Sequence, residues 1–314
     1  MLESLQILNI GCCRNRYELS VKKYILLSTS GKIYKCIWKT NECKVVALKV
    51  STLSIQRMPH RPDYEIKLLT ELKHKNIVEP LKTFRYGQNF VLVLPFLPYD
   101  LLSVLSKNND PEWLKEQLKG ITSALAYIHE KGIIHRDINP QNIMFLSEKG
   151  PAMLIDFSTA WSSENPGNEV KGKLVTDVAT GPYRPPELLL SYTNYETALD
   201  MWSWGVTMAQ MFTHENKPLF DSGSGENFGY SDLLLLSSIF KTLGTPTKET
   251  WDEIDELPDF KKVHFINYTA QSWEMILPNA PYDARDLISN LITYSFKKRL
   301  TAKKALNHFY FSKT

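Results

Sequence analysis

Apolar and polar positions change rhythm once along this chain, near residue 100. Between residues 21 and 50 they follow the short period of strands. Ile33-Tyr-Lys-Cys-Ile-Trp38 alternates crudely, and Lys44-Val-Val-Ala-Leu-Lys-Val50 is rich in β-branched residues. Thr40-Asn-Glu-Cys-Lys44 between them suits a hairpin turn. From Asp63 to Leu72, the apolar residues Ile66, Leu68, Leu69 and Leu72 recur at helical spacing, and Pro62 occupies a favoured first-turn position. Phe90-Val-Leu-Val-Leu94 reads as a buried strand that Pro95 ends. Pro95-Phe-Leu-Pro98 reads as an extended linker, because each proline removes a donor and restrains its predecessor. Beyond Asp100 the period turns helical over 111–131, 198–213, 231–243 and 284–292, with Asp110-Pro-Glu supplying cap chemistry for the first. The stretches 161–173 and 221–230 are rich in Ser, Glu, Asn and Gly and predict exposed loops. The pattern therefore predicts an α+β chain, β-rich up to about residue 95 and helical after it, without internal repeats.

Composition narrows this picture. A chain of 314 residues with 43% hydrophobic and 11% aromatic residues can bury a sizeable core and is not a solvated coil. Its longest apolar runs, such as Phe90–Leu97, are far short of a membrane span, and Met1-Leu-Glu-Ser-Leu lacks the basic and apolar regions of a signal peptide. Cys12, Cys13, Cys36 and Cys43 have neither metal-ligand spacing nor a disulfide framework, which predicts a reduced, intracellular compartment. The acceptor pattern Asn267-Tyr-Thr269 then carries no meaning. Net charge is +3 but uneven: residues 1–94 hold 16 Lys and Arg against 7 Asp and Glu, and the remainder 21 against 27. The basic residues are scattered singly with no interleaved aromatics, so no nucleic-acid partner is expected.

Candidate chemistry lies in five pieces. Ile134-His-Arg-Asp-Ile-Asn-Pro-Gln-Asn142 sets Asp137 and Asn142 five residues apart on a tight loop after an apolar helix. Leu154-Ile-Asp156-Phe157-Ser158 is a strand ending in an acid. Val46-Ala-Leu-Lys49 puts a lysine on a buried strand, Glu65 lies on the next helix, and Tyr183-Arg-Pro-Pro-Glu187 follows downstream. Each alone is weak; a single buried lysine is more often paired structure than catalysis. In this order and at these separations they resemble a protein kinase domain over residues 20–311.

That resemblance implies a bilobal fold: an N-terminal extension over 1–20, a small β-rich lobe over 21–95, and a larger helical lobe over 96–311. It implies ATP and Mg2+ as cofactors. Lys49 would hold the α- and β-phosphates and Glu65 would hold Lys49; Asp156 and Asn142 would ligate magnesium; Asp137 would act as base toward a substrate hydroxyl. Leu94 stands in the gatekeeper position, and the backbone of Pro95–Leu97 would meet adenine between Ile33, Ala47 and Met144. Asp100 would lie on the ribose side and Gln141 at the nucleotide, under a phosphate loop of Leu26, Ser28 and Gly31.

Several segments are similar to the cyclin-dependent kinases: Ser238-Ile-Phe-Lys-Thr-Leu-Gly-Thr-Pro-Thr247, Leu257-Pro-Asp-Phe260, Asp200-Met-Trp-Ser203, and Arg299, the partner expected for Glu187. Four features depart from that group. The phosphate loop keeps only its third glycine, with Leu26 and Ser28 where the first two would be. The cyclin-docking helix reads Pro59-His-Arg-Pro-Asp-Tyr64-Glu65. Of three arginines that clamp a loop phosphothreonine, Tyr64 and Trp161 replace two and only Arg136 remains, a weak clamp for a dianion. Asn139 replaces the catalytic-loop lysine, an amide without the charge. Thr176 is the nearest loop hydroxyl and is expected to be a plain loop residue.

This set of departures, with Asp156-Phe-Ser-Thr-Ala-Trp161 and Thr180-Gly-Pro-Tyr183, resembles the monomeric fungal kinases that activate cyclin-dependent kinases, a group with a fission-yeast member. The resemblance implies a Ser/Thr kinase acting as a monomer, without a cyclin, on the activation-loop threonine of cyclin-dependent kinases, in cytoplasm and nucleus. Two other readings stay open at this point: a catalytically weak or inactive pseudokinase scaffold, which Asn139, Leu26 and Ser28 keep alive, and a cyclin-dependent kinase itself.

Overall fold

A computed structural model describes residues 7–12, 15–28, 31–39, 43–52, 58–108, 110–223 and 231–312, with the backbone alone for 7–12 and 15–28. Six strands form one antiparallel sheet: β1 (Ile7–Cys12), β2 (Asn15–Ser28), β3 (Gly31–Lys39), β4 (Cys43–Thr52), β5 (Lys82–Tyr86) and β6 (Asn89–Pro95), ordered β1-β2-β3-β4-β6-β5. β2 runs without a break through residue 20, so the backbone upstream of residue 21 is paired into this sheet. The expected turn at Thr40–Lys44 falls largely outside the described residues, but β3 and β4 pair as the hairpin it requires.

Strand periodicity divides β4 between two faces. Val46 and Leu48 join Cys36, Val91 and Val93 in a small buried cluster, through the cross-strand pairs Cys36–Val46 and Leu48–Val93. Ala47 and Lys49 take the opposite face. A one-residue slip of this register would exchange the two sets and drive the lysine into the apolar cluster. Gly31 is the one phosphate-loop glycine that remains, and close packing against β4 requires it. Its φ is +151°, and a Cβ there would lie 2.5 Å from the Val50 carbonyl oxygen.

Helix α1 (Pro62–Glu71) begins with Pro62 in its first turn and buries Tyr64, Glu65, Leu68 and Leu69 along one stripe. The chain then crosses from β6 through Phe96–Pro98 to β7 (Tyr99–Asp100) and α2 (Leu101–Leu105), which Asp100 caps by accepting the Ser103 N–H. In α3 (Pro111–Glu130), Asp110 accepts the Glu112 N–H as the sequence predicts. After α3 come β8 (Ile133–Ile134), β9 (Ile143–Phe145), β10 (Met153–Leu154) and β11 (Trp161–Ser162). The remaining helices are α4 (Pro186–Leu189), α5 (Ala198–Gln210), α6 (Asp232–Leu243), α7 (Trp273–Ile276), α8 (Tyr282–Leu291), α9 (Ala302–Leu306) and α10 (Phe309–Ser312). The result is a β-sheet lobe beside a helical lobe, an α+β architecture.

Helix α5 is buried on every side, which makes it the axis of the larger lobe. Trp204 donates its indole N–H to Thr122 of α3 at 3.0 Å, fixing the two helices against each other. Arg299 reaches Glu187 of α4 through two bonds, 2.5 and 2.7 Å, with both side chains almost wholly buried.

The stretch 161–173 corrects an expectation. It is not a uniformly exposed loop: Trp161 and Ser162 are buried and pair with Ile134 and Ile133, and Glu169 is only 2% exposed. Ser, Asn, Gly and Pro here serve the tight turns of a packed segment rather than its solvation. Of the other expected loop, 224–230 lie outside the described residues.

Truncating one partner of the Arg299–Glu187 pair strands a buried charge. E187A should therefore lower unfolding free energy in urea by about 3–5 kcal/mol. The apolar pair R299M/E187L should cost less than E187A alone.

Candidate active site

The cleft between the lobes is about 400 Å3. Ile33 and Ala47 line it from the sheet, Leu94, Pro95 and Leu97 from the crossing segment, and Met144 from β9. Lys49, Glu65, Asp137, Asn139, Gln141, Asn142 and Asp156 complete its polar end. All of these were candidates in the sequence. Asp100 does not line the cleft; its Oδ1 accepts the Ser103 N–H at 2.7 Å as the cap of α2. The backbone of Leu26 pairs with Ile33 and that of Ser28 with Gly31, while their side chains lie outside the described residues. Gly31 packs on β4 and does not reach the cleft lining.

Lys49 organises the polar end. Its ammonium donates to Glu65 Oε1 and Oε2 at 2.7 and 2.8 Å and to Asp156 Oδ1 at 2.8 Å. Burial opposes the lysine's charge, but Asp156 and Glu65 outweigh it and push its pKa up to about 12. Two carboxylates thus share one ammonium. Burial raises Glu65, assisted by the neighbouring Asp156 charge. Asp156 moves the other way: burial would raise it, but Lys49 and the Ser158 N–H hold it well below the usual range. Lys49 thus favours the ionised form of Asp156.

The loop after β8 carries the second group. Arg136 has a φ of 68° and Asp156 a φ of 58°, left-handed values that cost about 1–3 kcal/mol for non-glycine residues. Asp200, at the start of α5, stabilises the first by accepting the backbone N–H groups of His135 and Arg136, both at 2.8 Å. His135 donates its Nε2–H to the Ile155 carbonyl at 3.0 Å and packs edge-on against buried Phe157. The two acidic turns are tied together through these contacts.

Asp137 is enclosed by donors. Thr180 Oγ1 donates to its Oδ1 at 2.6 Å, Asn139 Nδ2 to Oδ1 at 3.0 Å, and Asn142 Nδ2 to Oδ2 at 2.7 Å. Burial nevertheless raises its pKa above the ordinary aspartate value. A carboxylate so oriented and so desolvated can accept the proton of a substrate hydroxyl.

Asn139 has a role that charge comparison alone misses. Its Oδ1 accepts the N–H groups of Gln141 and Asn142 at 2.9 and 3.2 Å, capping the short 3-10 turn Pro140–Asn142, while its Nδ2 holds Asp137. A lysine cannot accept, so it cannot make this cap. Asn-Pro-x-Asn is legible as a cap followed by a first-turn proline.

Three cleft residues were not among the candidates, Val78, Ile155 and Thr180, while Phe96 lies within the expected Pro95–Leu97 segment. Ile155 adjoins the candidate Asp156 and was accessible by adjacency. Thr180 lies 43 residues from Asp137, and no local pattern links them.

The protein kinase domain family matches residues 28–311, and the chain belongs to it. It is 36% identical to the serine/threonine-protein kinase csk1 of Schizosaccharomyces pombe, over 82% of this chain and 83% of that one. It is 35% identical to cyclin-dependent kinase D-1 of Arabidopsis thaliana, over 79% of this chain and 59% of that one. It is 33% identical to cyclin-dependent kinase 20 of Danio rerio, over 85% and 76%. The chain is thus a Ser/Thr protein kinase of the cyclin-dependent-kinase-like group.

Membership implies ATP with a divalent metal, typically Mg2+, and the donor set fits both. Among the described residues no cluster of three His, Cys, Asp or Glu could cage a metal by itself. Mg2+ does not need one, since it takes one or two protein oxygens together with substrate phosphates and water. Asp156 commits only Oδ1 to Lys49 and Ser158, and Asn142 commits Nδ2 to Asp137, which leaves an oxygen of each for a cation. Bound there, the metal would neutralise charge on the transferring phosphoryl group. Lys49 would then supply a fixed cation for the nucleotide phosphates, and Asp137 would hold the acceptor oxygen in line.

N139A removes both the cap and the hold on Asp137. Steady-state kinetics should show kcat lowered by about 10- to 100-fold, with KM for ATP little changed. T180A should act in the same direction, because it removes a donor from the same oxygen.

Proposed function

We propose that this kinase phosphorylates the activation-loop threonine of cyclin-dependent kinases and does so as a monomer, without a cyclin, in cytoplasm and nucleus. The observation that carries the reading is how α1 is held. Glu65 sits on this helix, so the Lys49–Glu65 bond exists only while α1 is docked. Here the chain's own segment after Asp156 holds it. Tyr64 OH bonds Ser162 Oγ at 2.6 Å, Arg61 N–H donates to the Ser158 carbonyl at 2.9 Å, and the Arg61 guanidinium donates to the Asn165 carbonyl at 2.9 Å. The guanidinium also stacks over the Tyr64 ring, 4.6 Å from its centroid. An α1 anchored from inside the chain removes the need for a second protein to push it into place.

The substrate assignment draws on the resemblance of Asp156–Trp161 and Thr180–Tyr183 to monomeric fungal kinases that activate cyclin-dependent kinases. Similarity to csk1 and to two cyclin-dependent kinases is consistent with that group. The intact Lys49–Glu65–Asp156 and Asp137–Asn142 geometry favours an enzyme over a scaffold.

The deciding assay is transfer of radiolabelled phosphate from Mg-ATP to a catalytically inactive cyclin-dependent kinase in the absence of cyclin. Labelling is expected, and it should vanish with D137A enzyme and with substrate lacking its activation-loop threonine. Labelling of generic proteins alone would discard the substrate assignment, and no labelling with ATP still bound would favour the scaffold. Y64F deletes one of the hydrogen bonds that anchor α1. It should lower kcat by about 5- to 10-fold, the equivalent of roughly 1 kcal/mol for one buried bond, and added cyclin should not restore it.

A further inference from the structure

Arg136 is the single arginine left of a three-arginine phosphate clamp, and the structure gives it a partner. Its Nη1 and Nη2 donate to Glu169 Oε2 and Oε1 at 2.6 and 2.8 Å, a two-point pairing of planar groups. Both side chains are at most 1% exposed. The same carboxylate accepts the Val175 N–H at 3.0 Å, and Tyr195 OH lies 3.2 Å from Nη1. The Arg136 Nε donates to the Thr159 carbonyl. Four of the five N–H groups of a buried guanidinium are therefore engaged by one acid and its surroundings, and the two-point face that a phosphate would use is occupied by Glu169.

The two replaced arginines follow the same logic. Trp161 donates its indole N–H to the Glu169 carbonyl at 3.4 Å, and Tyr64 bonds Ser162 at 2.6 Å. Both hold the segment with neutral donors. A phosphate dianion needs two or three cations to offset its desolvation, whereas a carboxylate carries one charge and is balanced by one guanidinium. Losing two arginines while gaining one buried glutamate keeps the site neutral.

We propose that Glu169 is a built-in anion that takes the place of an activation-loop phosphate, and that through Arg136 it positions Asp137. The chain of contacts is short. Glu169 fixes the Arg136 side chain, and Asp200 fixes its backbone N–H at 2.8 Å. Asp137 is the next residue. Glu169 also gathers the segment at Val175, five residues before Thr180, whose hydroxyl holds the Asp137 carboxylate. Glu169 is thus a positioning residue that touches neither nucleotide nor acceptor. This inference rests on the reading of the chain as an active kinase and adds how its own loop is held.

The test uses the full chain, a generic basic protein as substrate, and hydrogen exchange across residues 158–180. Phosphatase-treated wild-type protein should keep its full kcat, and mass spectrometry should find no phosphate on that segment. E169Q should lose about 10²-fold in kcat while KM for ATP moves less than about twofold. Its amides over 158–180 should exchange at least about tenfold faster, with α5 and α8 unchanged. Formate should restore kcat in E169A, as a small carboxylate filling the vacated place. If E169Q does not fold, R136M/E169L replaces the pair with apolar groups of similar size and should fold with the same loss of kcat and the same faster exchange. Wild-type kcat and exchange in E169Q or in the double variant would overturn the proposal, as would loss of wild-type activity on phosphatase treatment. Exchange reads the anchor even if no substrate is labelled, and failure to label a cyclin-dependent kinase while generic labelling depends on Glu169 would remove only the substrate assignment.

Discussion

One buried ammonium sets the terms for the whole molecule. Lys49 is 4% exposed, and a lysine at that depth keeps its charge only when carboxylates surround it. Its two partners come from separate places, Glu65 on the helix packed against the sheet and Asp156 on the turn that leaves the larger lobe. Satisfying the lysine therefore requires sheet, helix and helical lobe to stand in one arrangement. If α1 withdraws, Glu65 is lost and the remaining carboxylate must balance the ammonium alone. The charges that would meet nucleotide and metal are the same ones that join sheet, helix and helical lobe.

Around this centre, the segment 156–180 works as a structural strap. It anchors α1 through Ser158, Ser162 and Asn165, occupies the Arg136 guanidinium with Glu169, and delivers Thr180 to Asp137. Each contact is a directional bond from a polar residue. Their partners are distant along the chain, so the segment reports on three parts of the site at once. The neutral replacements at 64 and 161 and the acid at 169 belong together, because a buried site tolerates only balanced charge.

Asn139 shows how a comparison by residue type can mislead. Counted as a missing lysine, it predicts a lost charge at the transferring phosphoryl group. In place, it caps the turn that carries Asn142 and also grips Asp137. Its acceptor oxygen does work that an ammonium cannot do, so the exchange alters how the base is held as well as the local charge. Gly31 makes the related point for the phosphate loop: the glycine that survives is demanded by packing on β4, at a backbone conformation side chains rarely adopt.

Much of this was open to reading from residues alone. Helical and strand periods located α1, α3, α5, α6, α8 and β6 to within a few residues, because burial on one face imposes a local repeat. The order of Lys49, Glu65, Asp137, Asn142 and Asp156, with Glu187 as a structural marker downstream, sufficed to point to a kinase, since phosphoryl transfer needs the first five groups in that relation. What escaped was every bond whose ends are far apart and whose residue types are unremarkable. Glu169 stands among Asn, Gly and Pro and has the local look of a solvated turn; only folding brings it 2.6 Å from an arginine 33 residues earlier. Tyr64 and Ser162 are 98 residues apart, Thr180 and Asp137 43. Sequence pattern records which face of an element is buried. It does not record which polar group a distant loop will present to that face, because a hydrogen bond is specified by position in space and leaves no period along the chain.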